Sequence, residues 1–241
     1  MAKMGGSRHL KRLAMPRALQ LPKKGKTWVV KAMPGPHPLG RSIPLAVILR
    51  DYLKVAGSLW EASKILARGG VLVDGRPVRE AKFAVGLMDV VSLPAVGQHF
   101  RILLNQLGKL VPHPVEAQEV SFKLCRVERK KSIAGGKVQV GLHDGRTLLL
   151  KEPHELRPRD VVKLSLPHQE VLQVVPFREG SLALITGGKN VGKVGKIVKI
   201  LELRSIQPNT AVLEGRGGER LETIVSNIFV IGEEAPLISL P

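Results

Sequence analysis

The sequence predicts an α+β protein made of several small domains, and three observations support this. The chain has 241 residues, whereas one domain usually has roughly 100–200. Apolar residues recur at helical spacing between residues 43 and 92, and the apolar segments after residue 93 have the length and β-branched composition of strands. The first 42 residues are rich in Gly, Pro and basic side chains. We therefore expect five segments, at residues 1–42, 43–92, 93–176, 177–232 and 233–241.

The net charge of the chain indicates a polyanionic partner. Lys and Arg number 38 against 20 Asp and Glu, which gives a formal net charge of +18. Such a surplus of cations repels itself in the folded state unless a polyanion neutralises it. Nucleic acid is the commonest partner of this kind, and an anionic membrane surface is the alternative. The sequence has no run of about 18 apolar residues, so we expect no membrane span.

The first segment is predicted to be a basic arm. It contains no Asp or Glu, because the first acidic residue of the chain is Asp51. Gly and Pro interrupt its apolar residues, so we expect it to bury too little apolar surface to fold until it binds an anion. Its candidate RNA-binding residues are Arg8, Lys11, Arg12, Arg17, Lys23, Lys24, Lys26 and Arg41.

Residues 43–92 are predicted to form two short helices followed by a β-hairpin. Apolar residues recur at helical spacing after Pro44, which the first turn of a helix tolerates. Ser58 and Glu61 have the S-x-x-E spacing of a capping box, so a second helix is expected to begin after Ser58. Asp74 and Gly75 favour the tight turn of a hairpin.

This helix–helix–hairpin order resembles the alpha-L RNA-binding domain, which occurs in a small-subunit ribosomal protein and in several RNA-modifying enzymes. In that family the paired helices present basic side chains to RNA. The matching basic positions are Arg50, Lys54, Lys64 and Arg68, which form two i,i+4 pairs. The alternative is that they are only the solvated faces of amphipathic helices.

From residue 93 to residue 232 the sequence predicts β-structure. Residues 93–176 are expected to form a small barrel or sandwich, with strands at 100–104, 109–111, 119–127, 138–142, 147–150, 161–166 and 171–175. A basic loop is expected at residues 129–131. Residues 177–232 contain further short strands bounded by Gly.

Residues 179–196 resemble a KOW motif, the first hairpin of an SH3-like barrel in ribosomal proteins and transcription elongation factors. Its glycines permit tight turns, and we expect them to let phosphates approach backbone N–H groups. The candidate RNA-binding residues here are Lys189, Lys193 and Lys196. A Gly-rich hairpin with incidental lysines is the alternative.

No nucleotide, metal or catalytic site is predicted. Residues 187–193 match the start of a P-loop, but Val194 replaces the hydroxyl residue that binds Mg²⁺, and a strand rather than a helix is expected to follow. Cys125 is the only cysteine, and the seven histidines lack metal-ligand spacing. We therefore expect no metal, no cofactor, no small-molecule substrate and no enzymatic activity.

The aromatic content bears on how RNA is recognised. Proteins that bind single strands stack bases on clustered aromatic side chains. This chain has five Phe, two Trp and one Tyr, most of them within apolar patterns typical of core residues. We therefore expect recognition of the phosphates and the shape of folded RNA.

The order of basic arm, alpha-L domain, β domain and KOW barrel resembles the S4e family of small-subunit ribosomal proteins, in its archaeal form, over essentially the whole chain. The segments that carry the resemblance are residues 7–12, 35–39, 85–90, 142–146 and 187–195. The resemblance implies a structural constituent of the small ribosomal subunit in the cytoplasm. It also implies that the protein binds ribosomal RNA and neighbouring ribosomal proteins and is not a homo-oligomer.

Two alternatives come from other classes of protein. Pseudouridine synthases and other RNA-modifying enzymes include members with an alpha-L domain, but the central β region is too short for a catalytic domain. A KOW-bearing transcription factor is the second alternative, and neither the alpha-L domain nor the long basic arm fits it.

Overall fold

A computed structural model describes residues 6–150, 156–202, 205–215 and 217–240. At the N-terminus it contains strand β1 (Leu10–Lys11) and strand β2 (Trp28–Val29), which pair antiparallel. Turns of 3-10 helix lie at Arg12–Ala14 and Leu39–Arg41. The predicted arm is therefore a short hairpin with a long connection.

The arm packs against the rest of the chain, which corrects the expectation that it does not fold without an anion. Ala18, Leu19, Leu21 and Val29 are buried in a hydrophobic core whose other buried members lie between residues 43 and 110. The Leu110 N–H also donates to the Ala18 carbonyl at 2.9 Å. Gly and Pro interrupt the apolar residues of the arm, but a core supplied by later elements buries four of them.

Both predicted helices are present. Strand β3 (Ser42–Pro44) leads into helix α1 (Leu45–Val47), which continues as a π-helical turn (Ile48–Tyr52), and helix α2 (Leu59–Ala67) follows. The Ser58 cap forms as predicted, but the Glu61 carboxylate binds the N–H of Gly57, one residue before the N-cap. The Glu61 N–H donates to Ser58 Oγ at 3.2 Å, and the Gly57 N–H donates to Glu61 Oε2 at 2.8 Å.

A five-stranded antiparallel sheet covers these helices. The next six strands in chain order, all but β6 in this sheet, are β4 (Leu72–Val73), β5 (Arg76–Pro77), β6 (Ala84–Gly86), β7 (Val90–Leu93), β8 (Gln98–Leu104) and β9 (Leu110–Pro114). The sheet order is β5-β4-β7-β8-β9, and β6 pairs with β3. The boundary expected after residue 92 cuts this sheet, because β7 pairs with β4 on one side and with β8 on the other.

The central region forms a second five-stranded sheet. After a 3-10 segment (Ala117–Ser121), its strands are β10 (Phe122–Ser132), β11 (Val138–Leu142), β12 (Thr147–Leu150), β13 (Val161–Ser165) and β14 (Val171–Val175), in the order β12-β11-β10-β13-β14. The expected strand at 119–127 begins later and runs further. Residues 129–131, predicted as a loop, belong to β10 because they pair with β11.

The C-terminal region forms a third five-stranded sheet. Its strands are β15 (Leu182–Ile185), β16 (Val194–Leu201), β17 (Thr210–Gly215), β18 (Arg220–Ile224) and β19 (Ile228–Gly232), in the order β18-β17-β16-β15-β19, with a 3-10 turn at Val225–Asn227. Strand β16 follows Lys193 directly, so the P-loop-like segment is not followed by a helix. Ile238 in the tail is buried. No helix in the described part of the chain is long and apolar enough to cross a membrane.

Candidate RNA interface

Twelve of the fifteen predicted RNA-binding residues lie on the protein surface. The exposed ones are Arg8, Lys11, Arg17, Lys23, Lys24, Lys26, Arg41, Lys54, Lys64, Arg68, Lys189 and Lys196. They are on the arm, on or beside the two helices, and on the loop and strand that follow β15. Their ammonium and guanidinium groups are therefore accessible to a polyanion.

Arg12 is the clearest exception among the predicted residues. Its side chain is only 8% exposed, and its Nε donates to the Pro22 carbonyl at 2.6 Å. This bond joins the start of the segment between β1 and β2 to the middle of that segment. The Arg12 guanidinium is therefore engaged within the arm, and its contact with phosphate stays a prediction.

Arg50 and Lys193 are half-buried and already form ion pairs. Arg50 Nη2 lies 2.6 Å from Asp51 Oδ2, and Lys193 Nζ lies 2.9 Å from Glu219 Oε2. Each charge is partly neutralised, so both residues are weaker candidates than their exposed neighbours. The predicted helical stripe is thereby reduced to Lys54, Lys64 and Arg68.

Two of the KOW glycines, Gly192 and Gly195, pack tightly against protein atoms, a role other than the phosphate approach that we expected. At Gly192 the backbone has φ +80°, and a Cβ would collide with the Asn105 carbonyl on the β8–β9 turn. At Gly195 a Cβ would lie 2.6 Å from the Glu214 carbonyl of β17. Both glycines therefore allow close contact between parts of this chain, as a missing Cβ permits.

A further basic surface lies on the outer face of β10 and β11, and sequence reasoning missed it. Arg129 is opposite Gly141 and Lys131 is opposite Gln139. Residues directly opposite in an antiparallel pair share a face. Because the alternate residues Val138 and Val140 point into the core, Arg129 and Lys131 lie on the solvent face.

The sequence does contain a signal for this surface. Residues 129–143 include no Asp or Glu but include Arg129, Lys130, Lys131 and Lys137. In the structure Arg129, Lys131 and Lys137 are exposed. Residues 129–131 were predicted to form a loop, and a loop does not imply that their side chains share an orientation. A strand does, because alternate side chains of a strand lie on one face.

A buried charge cluster joins the arm, the first sheet and the central sheet. The Lys123 ammonium lies 2.9 Å from Asp74, 2.5 Å from Asp89 and 2.9 Å from Asp144. His37 Nε2 lies 3.0 Å from Asp89 Oδ2. Three of the segments that carry the family resemblance, residues 35–39, 85–90 and 142–146, therefore meet here.

The electrostatics of this cluster follow from burial and from opposing charge. Burial alone would lower the pKa of Lys123, but Asp89 and Asp74 outweigh it and raise that pKa well above its ordinary value. For Asp89, burial raises the pKa, yet the Lys123 charge and the contact with His37 hold it far below the usual range. Burial raises the pKa of Asp74 more than Lys123 lowers it. The cluster thus holds Lys123 charged and Asp89 ionised at neutral pH.

Cys125, His143 and Asp144 form a group of potential metal ligands, with their ligand atoms within 4.8 Å of one another. These atoms are engaged within the protein. Asp144 binds Lys123, and the Arg126 N–H donates to His143 Nδ1 at 3.2 Å. Burial raises the pKa of the Cys125 thiol well above its ordinary value. A metal ion would have to displace all of these interactions.

Comparison with known proteins decides the family. Family models match the Ribosomal family S4e at residues 96–171, the RS4NT domain at 4–40 and the KOW motif at 179–214. The small ribosomal subunit protein eS4 of Methanothermobacter thermautotrophicus is 48% identical over 241 residues, covering 100% of this chain and 99% of the relative. That of Methanocaldococcus jannaschii is 44% identical over 247 residues and covers both chains completely.

The chain belongs to the ribosomal protein family S4e. The crystal structure of the 30S ribosomal protein S4e from Thermoplasma acidophilum is similar to it, with a TM-score of 0.68 and 35% identity over 80% of this chain and 96% of that one. S4e proteins are ribosomal structural proteins, so the expectation that the chain is not an enzyme is confirmed. The predicted multi-domain architecture with a small helical part is confirmed as well, and most of the regular structure is β-strand.

Proposed function

We propose that this S4e chain is a structural constituent of the small ribosomal subunit, located in the cytoplasm, and that it binds ribosomal RNA and neighbouring ribosomal proteins. The observation that carries the RNA-binding proposal is the arm. The first 50 residues contain no carboxylate side chain, and seven of the eight candidate cations on the arm are exposed on the folded surface. Such a surface attracts phosphates without competing internal anions.

Four groups of exposed cations support a shared RNA interface. They lie on the arm, at Lys54, Lys64 and Arg68, on the outer face of β10 and β11, and at Lys189 and Lys196. We assign phosphate contact to these residues because they are exposed to solvent and carry a positive charge that attracts phosphate. We propose that the protein binds the backbone and shape of folded RNA through these groups, as a monomer.

The domain division that accompanies this function is also a proposal. It consists of the basic arm at 1–42, an alpha-L unit extended to residue 114, a central β domain to residue 176, an SH3-like KOW barrel at 177–232 and a tail at 233–241. The extension to residue 114 rests on the continuous sheet that includes β7, β8 and β9.

The test of RNA binding is its dependence on salt. Purified protein is titrated with fluorescein-labelled small-subunit ribosomal RNA fragments at several salt concentrations, and binding is followed by anisotropy. The logarithm of the binding constant should fall linearly with the logarithm of salt concentration, by about 0.7–0.9 per phosphate contacted. An affinity that does not change with salt would contradict phosphate recognition.

The ribosomal assignment is tested separately. The tagged protein, expressed in an archaeal host, should sediment with small subunits and remain bound through a moderate-salt wash. Sedimentation only at the top of the gradient, with intact subunits present in the same lysate, would contradict it.

A further inference from the structure

Trp28 is an exposed aromatic residue in a strongly cationic surface. It is 52% exposed, although its strand neighbour Val29 is buried in the core. The two residues alternate across β2, so one faces inward and the other faces solvent. Leaving a large indole half in water forgoes hydrophobic stabilisation.

The groups around this indole are basic. Lys11, which is opposite Trp28 in the β1–β2 pair, places its ammonium 3.9 Å from the centroid of the ring. The His9 ring lies 5.4 Å away at a tilt of 53°. No Asp or Glu occurs in the first 50 residues of the chain, so no acidic residue of the arm opposes an anion here.

The residues around the second tryptophan, Trp60, differ from those around Trp28. Trp60 is 68% exposed, and the Lys64 ammonium lies 3.8 Å from its ring. Its chain neighbours, however, are the exposed apolar residue Leu59 and the acidic Glu61. Of the two tryptophans, only Trp28 combines an exposed ring with a chain segment that lacks acidic residues.

We propose that the face of the Trp28 ring that the Lys11 ammonium does not cover is a stacking platform for one unpaired base of the bound RNA, with Lys11 placed to contact the adjacent phosphate. This inference rests on the proposed RNA-binding function. Bases within a duplex are already stacked on one another, whereas a base in a loop or bulge gains a contact by stacking on an aromatic ring. Recognition by this S4e chain therefore includes one single-stranded nucleotide, in addition to the phosphates and shape of folded RNA.

Single-tryptophan proteins test the platform directly. In Trp60→Phe the sole indole is Trp28, and in the matched control Trp28→Phe it is Trp60. The probes are a fluorescein-labelled RNA hairpin with a loop of unpaired adenosines and a fully paired duplex of the same stem. Anisotropy of the RNA measures occupancy independently of tryptophan emission.

At saturating hairpin RNA, the emission of Trp28 in Trp60→Phe should be largely quenched, and the duplex should leave it almost unchanged. Because Lys64, beside the Trp60 ring, is assigned a phosphate contact, Trp60 emission in the control should change to the same extent with hairpin and duplex. Trp28→Ala should weaken hairpin binding by about fivefold to a hundredfold, the range for removal of one base–aromatic stack, and duplex binding much less.

Two results would overturn the platform while leaving RNA binding intact. One is saturation of the anisotropy signal by hairpin RNA with Trp28 emission unchanged. The other is equal quenching of Trp28 by hairpin and duplex. Absence of binding to either RNA would instead overturn the proposed function. Because the quenching experiment keeps Trp28 in place, it does not depend on whether Trp28→Ala folds.

Discussion

The ammonium of Lys123 lies 2.5 Å from Oδ1 of Asp89, although the two residues are 34 positions apart and belong to different sheets. Lys123 is on β10 of the central sheet, and Asp89 immediately precedes β7 of the first sheet. Because Asp74 and Asp144 bind the same ammonium, one side chain connects two sheets at their common boundary.

Lys123→Met should destabilise the protein strongly. It removes the cation from three buried carboxylates, and breaking a buried ion pair by removing one partner costs about 3–5 kcal/mol. Urea unfolding followed by circular dichroism measures the decrease in stability. The control is Lys131→Met, an exposed lysine on the same strand, which should change stability little. Equal stability of the two variants would contradict a central role for the cluster.

Acid should destabilise the protein through His143 before the carboxylates contribute. Burial, with the charge of Lys123, lowers the pKa of His143 from 6.5 to about 3. The unfolded chain therefore takes up this proton first as the pH falls. The stability that neutral His143 contributes is fully present above about pH 6.5 and is lost as the pH falls toward its folded pKa, at up to about 1.4 kcal/mol per pH unit.

A variant isolates this effect. The neutral ring accepts from the Arg126 N–H at Nδ1 and donates from Nε2 to the Leu87 carbonyl, at 3.3 Å, so protonation of Nδ1 breaks the first bond. His143→Asn keeps an acceptor near Arg126 but does not titrate. Urea midpoints between about pH 6.5 and 4.5 should fall less in the variant than in the parent, and parallel curves would contradict the assignment. Asp144, Lys123 and His37 surround the ring and are unchanged in both proteins.

Gly192→Ala should cost more stability than Gly218→Ala. Both glycines have positive φ, +80° and +74°, but a Cβ at Gly218 meets nothing within 4 Å, whereas one at Gly192 collides with the Asn105 carbonyl. The left-handed backbone costs each variant about 1–2 kcal/mol. The collision should add about 1–3 kcal/mol for Gly192 alone. Thermal unfolding of both variants measures the difference in stability. Equal losses of stability would contradict the predicted collision, because they would mean that the loop moves to accommodate the added Cβ.

Reversing the helical cations should weaken RNA binding more than reversing nearby ones. When Lys54, Lys64 and Arg68 are changed together to Glu, the salt slope should fall by roughly one for each phosphate that the protein no longer binds. The control changes the exposed residues Arg76, Arg79 and Lys82 to Glu, with the same change in net charge. Equal decreases of affinity in the two anisotropy titrations would assign the effect to the field of the whole molecule.

The sequence by itself determined the structural elements that depend only on residues close together in the chain. Ser58 and Glu61 are three residues apart, so the cap in which the Glu61 N–H donates to Ser58 Oγ follows from local chain geometry, and it starts α2 as predicted. The turn at Asp74 and Gly75 has φ +50° and +76°, as a tight hairpin requires. The hairpin of β11 and β12 likewise joins adjacent segments. The excess of Lys and Arg predicted an anionic partner without any structure.

Only the tertiary structure decided which residues that are distant in the sequence contact one another. The ligands of Lys123 lie 49, 34 and 21 residues away, and no local pattern pairs them. Arg12 looks like the other arm cations until its guanidinium is seen to bind Pro22 in a buried site. Trp28 has the apolar character of a core residue, and its place on the outward face of β2 leaves it exposed. Burial depends on the folded chain as a whole. The sequence therefore gives the total charge, but it does not show which charged side chains are exposed to solvent.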